Sequence, residues 1–92
     1  MSHPTRRLME IENAKGLHAR ASAKFVETVE QHNATATAYK DGLSAAGDSI
    51  MGLLMLAASR GTTIEVETSG PEAEKLMDAL AALVADKFGE GM

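Results

Sequence analysis

The stretch Gly16-Leu17-His18-Ala19-Arg20-Ala21-Ser22-Ala23-Lys24-Phe25 decides how the chain is organised and where its chemistry lies. A strand-like pattern ends just before this stretch, and a helix-like pattern begins inside it. His18 falls at the junction, and it is the only side chain there that can act as a nucleophile, acid or base near neutral pH. Arg20 follows two residues later, with small residues around both. We expect the rest of the chain to hold this junction open to a partner.

The composition indicates a single small domain over residues 1–92, with a loose lead-in over residues 1–6. A chain of this length buries only about 60–65% of the surface that its unfolded form exposes, so there is no room for a deep cleft. Aromatic residues make up 3% of the chain, and the core is therefore expected to consist of Leu, Ile, Val, Met and Ala. The chain contains no cysteine, which excludes disulfides and thiolate chemistry.

The charge distribution favours an anionic ligand or an acidic partner near His18. The formal net charge is −4, unlike the basic character of non-specific nucleic-acid binders, so we expect no nucleic-acid partner. The basic residues of the first half of the chain are nevertheless numerous: Arg6, Arg7, Lys15, Arg20, Lys24 and Lys40. A local positive patch is compatible with the acidic total.

Nothing in the sequence predicts membrane insertion or export. No apolar run reaches the roughly 18–20 residues needed to span a bilayer, and the N-terminus lacks the apolar core of a signal peptide. We therefore expect a cytoplasmic protein.

Apolar and polar residues alternate with the period of a strand in four segments, residues 7–13, 34–40, 43–46 and 62–68. Asp41-Gly42 predicts a tight hairpin between the second and third strands. Helical spacing predicts helices from Ala19 to about His32, over residues 50–58, and over residues 71–88 with Pro71 at the first helical position. The order β-α-β-β-α-β-α predicts an α+β fold, a four-stranded antiparallel sheet covered on one face by three helices.

The second predicted helix is apolar on all sides. Ser49 precedes it as a natural N-cap, and residues 50–58 contain no charged side chain. Only one face of such a helix can reach the core of so small a domain. The other face must remain exposed, which is typical of a surface that binds a partner.

The position of His18 at a helix start favours binding of an anion. The first N–H groups of a helix have no acceptor within it, so an anion held by the imidazole meets the amides of Ala19, Arg20 and Ala21. A guanidinium suits a phosphoryl group, and an imidazole near neutral pH is largely unprotonated and nucleophilic. The chemistry therefore points to phosphoryl transfer onto His18. A histidine at this position also serves in many proteins as a simple surface or capping residue, and these residues alone leave both interpretations open.

Other kinds of site find less support. His3, His18 and His32 lie in unrelated segments without metal-ligand spacing, so we expect no metal. A Ser-His-Asp hydrolase requires a deeper site than this chain can build, and an acylphosphatase-like hydrolase lacks a catalytic Arg/Asn pair. No Gly-rich phosphate loop is present, and we expect no cofactor.

Two motifs together resemble the HPr family, the histidine-containing phosphocarriers of the bacterial phosphotransferase system, which includes the nitrogen-branch paralogue NPr. The first motif is GLHAR at residues 16–20, and the second is GDSIMGLLMLAA at residues 47–58. The resemblance extends over residues 8–88 in the same order of elements. It implies an open-faced β-sandwich and a carrier without turnover of its own.

The resemblance also implies partners and residue roles. His18 would accept a phosphoryl group on Nδ1 from a phosphohistidine of enzyme I, charged by phosphoenolpyruvate, and pass it to a histidine of an EIIA-type protein. Arg20 corresponds to the phosphate-neutralising arginine, and Ser49 to the serine that HPr kinase modifies in some lineages. The docking patch corresponds to Ile50, Met51 and Leu54.

One departure from the family pattern concerns Ala21, where many members have proline. Alanine restores an N–H that proline lacks, so it either adds a phosphate donor or loosens the turn. The resemblance leaves the sugar and nitrogen branches open, and we expect a monomer. The alternative function is a regulatory binding module that contacts non-transport targets through Ile50, Met51 and Leu54.

Overall fold

Strands and helices follow one another in the predicted order. The computed structural model describes residues 4–91, and over these it contains the strands β1 (Thr5–Glu10), β2 (Thr35–Lys40), β3 (Leu43–Ala46) and β4 (Thr63–Ser69). Its helices are α1 (Ala19–Glu30), α2 (Ile50–Met55) and α3 (Ala73–Ala85), and a 3₁₀ turn follows at Lys87–Gly89. The predicted fold class is confirmed.

The sheet is antiparallel throughout, with the strand order β1-β4-β2-β3. The helices cover one face and build one core with it, in which Ile64 and Val66 of β4 are fully buried. The opposite face is open and polar, where Arg6 forms an ion pair with Glu67 (2.7 Å). The alternation of residues within β4 therefore separates the core from solvent, as the sequence predicted.

The second strand contributes only alanines to the core. Ala36 and Ala38 are 7% and 0% exposed, as their alternation with polar residues predicted. The hairpin after this strand is also confirmed, since Asp41 and Gly42 have φ values of 50° and 80°. Two consecutive positive φ values characterise the type I′ turn that matches the twist of the flanking strands.

The first strand begins earlier than predicted. Thr5 and Arg6, which the sequence assigned to the lead-in, pair with Thr68 and Glu67 of β4. The sequence pattern did not show this because Arg6 lies on the polar face and its partners are distant in the chain. Residues 1–3 of the lead-in, including His3, lie outside the described residues.

The second helix is shorter than predicted. It ends at Met55, and Ala57 adopts a left-handed conformation (φ 53°). The chain turns there because the Ala58 carbonyl accepts a hydrogen bond from Leu17 N–H (2.8 Å) in the loop before α1. Ala58 is 3% exposed, so this loop belongs to the core rather than to a continuing helix.

The third helix is shorter at both ends. It begins at Ala73 rather than at Pro71, because Glu72 N–H donates to Asn33 O (3.1 Å) and the Glu72 side chain accepts from Asn33 N–H (2.6 Å). It ends at Ala85 rather than at Phe88. Within residues 4–91, none of the helices combines the length and the apolar character that crossing a membrane requires.

The first helix ends close to the predicted position. Its last residue is Glu30, and His32 follows one residue beyond the cap Gln31. His32 Nδ1 donates to Thr28 O (2.8 Å), so the imidazole contacts a carbonyl in the last turn of the helix.

Candidate functional site

His18 is the N-cap residue of α1. Its backbone is extended (φ −78°, ψ −175°), and its carbonyl accepts the first helical hydrogen bond from Ser22 N–H (2.8 Å). Its ring Nδ1 accepts a hydrogen bond from Arg20 N–H (3.2 Å). One ring nitrogen of His18 therefore faces the amides at the positive end of the helix dipole.

Gly16 holds the histidine loop against the loop that follows α2. Its φ is 65°, and a Cβ added there would lie 2.5 Å from Ala58 O and 2.9 Å from Ser59 Cα. Only glycine combines this backbone conformation with such a close approach. The neighbouring hydrogen bond from Leu17 N–H to Ala58 O closes the same contact. The two sequence motifs therefore meet through their backbones.

Glu90 contacts the other ring nitrogen of His18. His18 Nε2 donates to Glu90 Oε2, and Asn13 Nδ2 donates both to Glu90 Oε1 (2.9 Å) and to Gly16 O (2.8 Å). A carboxylate accepts and does not donate, so Nε2 carries the ring proton. Because Nδ1 accepts from Arg20 N–H, it keeps its lone pair. These bonds select one neutral tautomer of His18, with Nδ1 unprotonated.

Asn13 is fully buried, and its Oδ1 has no hydrogen-bond partner among the described residues. An unpaired buried oxygen costs about 1–3 kcal/mol. The opposite orientation of the amide would point its oxygen at two acceptors, Gly16 O and Glu90 Oε1, which is worse. The observed orientation of the Asn13 amide is therefore the favoured one, and it holds Glu90 beside the histidine loop.

A turn of unusual conformation brings Glu90 to His18. Lys87, Phe88 and Gly89 have φ values of 55°, 54° and 74°, and Phe88 is 0% exposed. Lys24 Nζ donates to Phe88 O (2.5 Å) and ties the turn to α1. Sequence reasoning missed Glu90 and Asn13 as site residues, and it named Lys24 only as a basic residue of the first half of the chain. The signal available was weak, namely an apolar Phe88 followed by a carboxylate between two glycines.

Two opposing effects determine the ionisation of Glu90. Burial alone would raise the pKa of Glu90, but the hydrogen bonds from Asn13 and His18 and the charge of Lys15 outweigh it, and His18 adds to their effect when its ring is protonated. The net result is a Glu90 pKa below its ordinary value. Glu90 is therefore a carboxylate at neutral pH and can accept both hydrogen bonds.

Three basic side chains surround the histidine. Lys15, Arg20 and Lys24 line a surface depression of about 260 Å³ together with His18 and Glu90. Among the described residues, Arg20 forms no ion pair, and it is exposed. The predicted basic patch around His18 is present, and its charge is suited to an anion.

The small residues of α1 occupy two different environments. Ala19 is exposed and leaves the approach to His18 open, whereas Ala21 is 0% exposed and packs into the core. Both lie in the first turn of α1, whose N–H groups have no helical acceptor. Ala21 can therefore present only its amide, and not its methyl group, to a bound anion.

The exposed face of α2 lies beside the histidine. Ile50 is 39% exposed and Met51 69%, and Leu54 is half-buried. Leu54 and His18 line a second depression, of about 310 Å³, together with Leu17. Sequence reasoning did not name Met55, which is 74% exposed on the same short helix. We define the α2 patch as Ile50, Met51, Leu54 and Met55.

Ser49 caps α2 as predicted. Its Oγ accepts a hydrogen bond from Gly52 N–H (3.0 Å), and its backbone is extended. The side chain is partly exposed at the edge of the α2 patch, next to Ile50.

Comparison with known proteins identifies the family. Residues 5–86 match the family model described as the PTS HPr component phosphorylation site. The phosphocarrier protein HPr of Neisseria meningitidis is 48% identical over 83 residues, which cover 90% of this chain and 93% of that protein. The phosphocarrier protein NPr of Escherichia coli is 37% identical over 83 residues, or 89% of this chain and 92% of that protein.

The solved structures agree with the sequence relatives. A crystal structure of HPr from Thermoanaerobacter tengcongensis superposes with a TM-score of 0.91 at 34% identity, covering 96% of this chain and 99% of that one. A histidine at a helix start, a basic rim and an exposed apolar helix thus occur on a backbone shared with these carriers. The chain belongs to the HPr family of phosphocarriers of the phosphotransferase system.

Proposed function

We propose that this chain carries a phosphoryl group on His18 Nδ1, taking it from phospho-enzyme I and giving it to an EIIA-type protein. The observation that supports the assignment to Nδ1 is the contact between His18 Nε2 and Glu90. That contact occupies one nitrogen and leaves the lone pair of the other for attack.

The transfer replaces one N–P bond with another of the same kind. The Nδ1 lone pair attacks the phosphorus of the donor phosphohistidine, an N–P bond forms, and the donor N–P bond breaks with its electron pair returning to the donor imidazole. The Arg20 N–H donates to Nδ1 before the transfer. After the transfer it donates to a phosphoryl oxygen, as do the neighbouring amides of Ala19 and Ala21. The proton stays on Nε2, where the Glu90 carboxylate offsets the positive charge that the ring gains.

The phosphoryl group is stabilised by partial and full positive charges. The helix terminus contributes about 0.3–1 kcal/mol at an exposed site. The Arg20 guanidinium adds charged donors in a planar fork that matches phosphate oxygens. Contributions of this size favour the phosphorylated form without trapping it, as a carrier requires.

Docking is assigned to the α2 patch. Ile50, Met51 and Leu54 provide exposed or half-exposed apolar area, and Leu54 lines the same depression as His18. Buried apolar surface at the centre of an interface supplies much of its affinity. Both enzyme I and the EIIA-type acceptor would use this patch in turn.

Ser49 is the proposed regulatory position, modified by an HPr kinase where one is present. A phosphate there would place about two negative charges at the edge of the α2 patch. Docking of enzyme I on that patch would weaken, while the cap of α2 would be preserved because the phosphate still accepts from amides.

The test is incubation with enzyme I and phosphoenolpyruvate. The wild-type chain should acquire an acid-labile phosphate, which His18→Ala should lose. His32→Ala is the matched control and should retain the label, because the His32 ring bonds to Thr28 O at the other end of α1 from His18. Labelling that survives His18→Ala would refute the proposal.

The alternative function is a regulatory binding module, and the observation that favours it is the area of exposed Met51 and Met55. Pull-downs with unphosphorylated and phosphorylated chain separate the two, since a pure binding module should be indifferent to His18→Ala. We also propose a cytoplasmic monomer consisting of one domain. Light scattering after size-exclusion chromatography tests the oligomeric state.

A further inference from the structure

The methionines of residues 4–91 fall into two groups of opposite exposure. Met9 and Met77 are 5% and 1% exposed and belong to the core, whereas Met51 and Met55 are 69% and 74% exposed. A solvent-borne oxidant therefore reaches the second pair without any opening of the fold, but it reaches the first pair only through unfolding.

The exposed pair lies on one side of α2. Met51 and Met55 are four residues apart, so their side chains are neighbours on the helix surface. The opposite side of the helix is anchored by Leu53, which is 0% exposed, and the cap residue Leu56 just after the helix is 2% exposed. A change of polarity at the methionines therefore alters the α2 patch without removing a core contact.

We propose that Met51 and Met55 form a modification site for two-electron oxidants of the peroxide class, and that their oxidation reversibly blocks partner docking. This inference rests on the proposed function, because it requires the α2 patch to be the docking surface. It concerns the thioether sulfurs only and leaves His18, Arg20 and Glu90 chemically unchanged.

The chemistry balances with hydrogen peroxide as the oxidant. A sulfur lone pair attacks one peroxide oxygen, an S–O bond forms, and the O–O bond breaks. The departing hydroxide takes up the proton of the transferred oxygen and leaves as water. The sulfur is oxidised by two electrons and the peroxide is reduced by two. Methionine sulfoxide reductases return the sulfoxide to the thioether.

The expected consequence is a weaker encounter with the phosphoryl donor and not slower chemistry. Covering a sulfoxide oxygen with an apolar partner surface leaves a strong acceptor without a hydrogen bond. We expect the KM for this chain in phosphorylation by enzyme I to rise about tenfold or more, while kcat changes little.

The experiment treats the folded full-length chain with increasing hydrogen peroxide and assigns oxidation by peptide mapping. Phosphorylation by enzyme I and phosphoenolpyruvate is then measured against chain concentration, and each variant is compared with its own untreated sample. Met51→Leu/Met55→Leu is the test variant, and Met9→Leu/Met77→Leu is the matched control, since Leu conserves volume at all four positions. Thermal unfolding before and after treatment reports whether the fold is retained.

The inference predicts that Met51 and Met55 oxidise before Met9 and Met77, that KM rises in the wild type and in the control variant, and that the test variant does not respond. Treatment with methionine sulfoxide reductases should restore the wild type. An unchanged KM with both sulfurs fully oxidised would overturn it, as would an equal rise in the test variant.

A further variant separates this inference from the proposed function. Met51→Glu places a full charge in the α2 patch. If Met51→Glu raises KM and oxidation does not, docking through the patch stands and the oxidation site fails. If Met51→Glu has no effect either, the α2 patch is not the docking surface, and the proposed function fails at that point.

Discussion

Replacing Glu90 with glutamine changes the contact that, in the proposed function, leaves His18 Nδ1 as the reactive nitrogen. The glutamate accepts from Asn13 Nδ2 through one oxygen and from His18 Nε2 through the other. Glutamine has a single oxygen, so its amide group must point an N–H at either Asn13 Nδ2 or His18 Nε2, both of which are donors in this arrangement. Asn13 cannot turn to relieve the clash, because Nδ2 also donates to Gly16 O (2.8 Å).

The expected decrease in the phosphorylation rate of Glu90→Gln follows from the kind of hydrogen bond that is lost. A bond to an ionised group contributes about 1.5–3 kcal/mol, and this one strengthens in the transition state because the ring gains positive charge. The side chains of His18 and Glu90 are 25% and 13% exposed, so solvent screens part of the interaction. We expect a loss of about 1.4 kcal/mol, or about tenfold in the rate of phosphorylation.

The assay combines single-turnover phosphorylation by phospho-enzyme I with ¹⁵N NMR of the imidazole. Glu90→Gln should slow the transfer about tenfold and raise the fraction of the tautomer that carries its proton on Nδ1. Glu74→Gln is the matched control, since Glu74 is exposed in the first turn of α3 and its loss changes net charge equally. It should leave both the rate and the tautomer fraction as in the wild type.

Equal rates for Glu90→Gln and Glu74→Gln, with an unchanged tautomer fraction, would show that the Glu90 contact does not orient His18. A slower transfer with the wild-type tautomer fraction would also contradict the tautomer mechanism, since Glu90 would then act only through its charge.

Three further predictions concern stability and docking. Gly16→Ala should lower the free energy of unfolding, measured by urea denaturation, by about 1–3 kcal/mol. The new methyl group meets Ala58 O, and the φ of 65° is strained for alanine. A variant as stable as the wild type would refute the close contact. Ser49→Ala should lower the free energy of unfolding by about 1 kcal/mol, because the hydrogen bond from Gly52 N–H is lost. Ser49→Asp should keep the cap and raise the KM for phosphorylation by enzyme I. Unchanged kinetics in Ser49→Asp would count against regulation at this position. Because the pKa of Glu90 is lowered in the folded state, its contribution to stability is present above the unfolded pKa of about 4.3 and is lost as pH falls through the folded value. Acid titration monitored by circular dichroism should show a shallower loss of stability for Glu90→Gln than for wild type, and parallel curves would contradict the shift.

The sequence predicted features that depend on a few neighbouring residues. The Asp41-Gly42 hairpin follows from a turn that only such residues adopt readily, and the Ser49 cap follows from a side-chain oxygen within reach of Gly52 N–H. The position of His18 at the start of α1 followed from the change of hydrophobic period at Gly16. In each case the determining contact spans four residues or fewer, so the local sequence was sufficient to predict the feature.

The features that sequence reasoning missed depend on contacts between distant segments. Glu90 lies 72 residues from His18, and it reaches the histidine only because Lys87 and Phe88 adopt positive φ. Neither residue type favours that conformation; burial of the Phe88 ring and the bond from Lys24 Nζ to Phe88 O stabilise it. No local pattern encodes such a turn, and helical periodicity instead extended α3 through it.

The backbone contact between the two motifs has a consequence for how a carrier serves several partners. The bond from Leu17 N–H to Ala58 O and the absence of a Cβ at Gly16 hold the His18 loop close to the loop that follows α2. Under the proposed function, a partner that docks on the α2 patch would therefore find His18 at a constant position, whatever the details of its own surface. Substitutions on the exposed side of α2 can then change affinity while the alignment for transfer is retained. Because alignment of the reacting atoms governs the chemical step, affinity and transfer rate can vary independently in this fold.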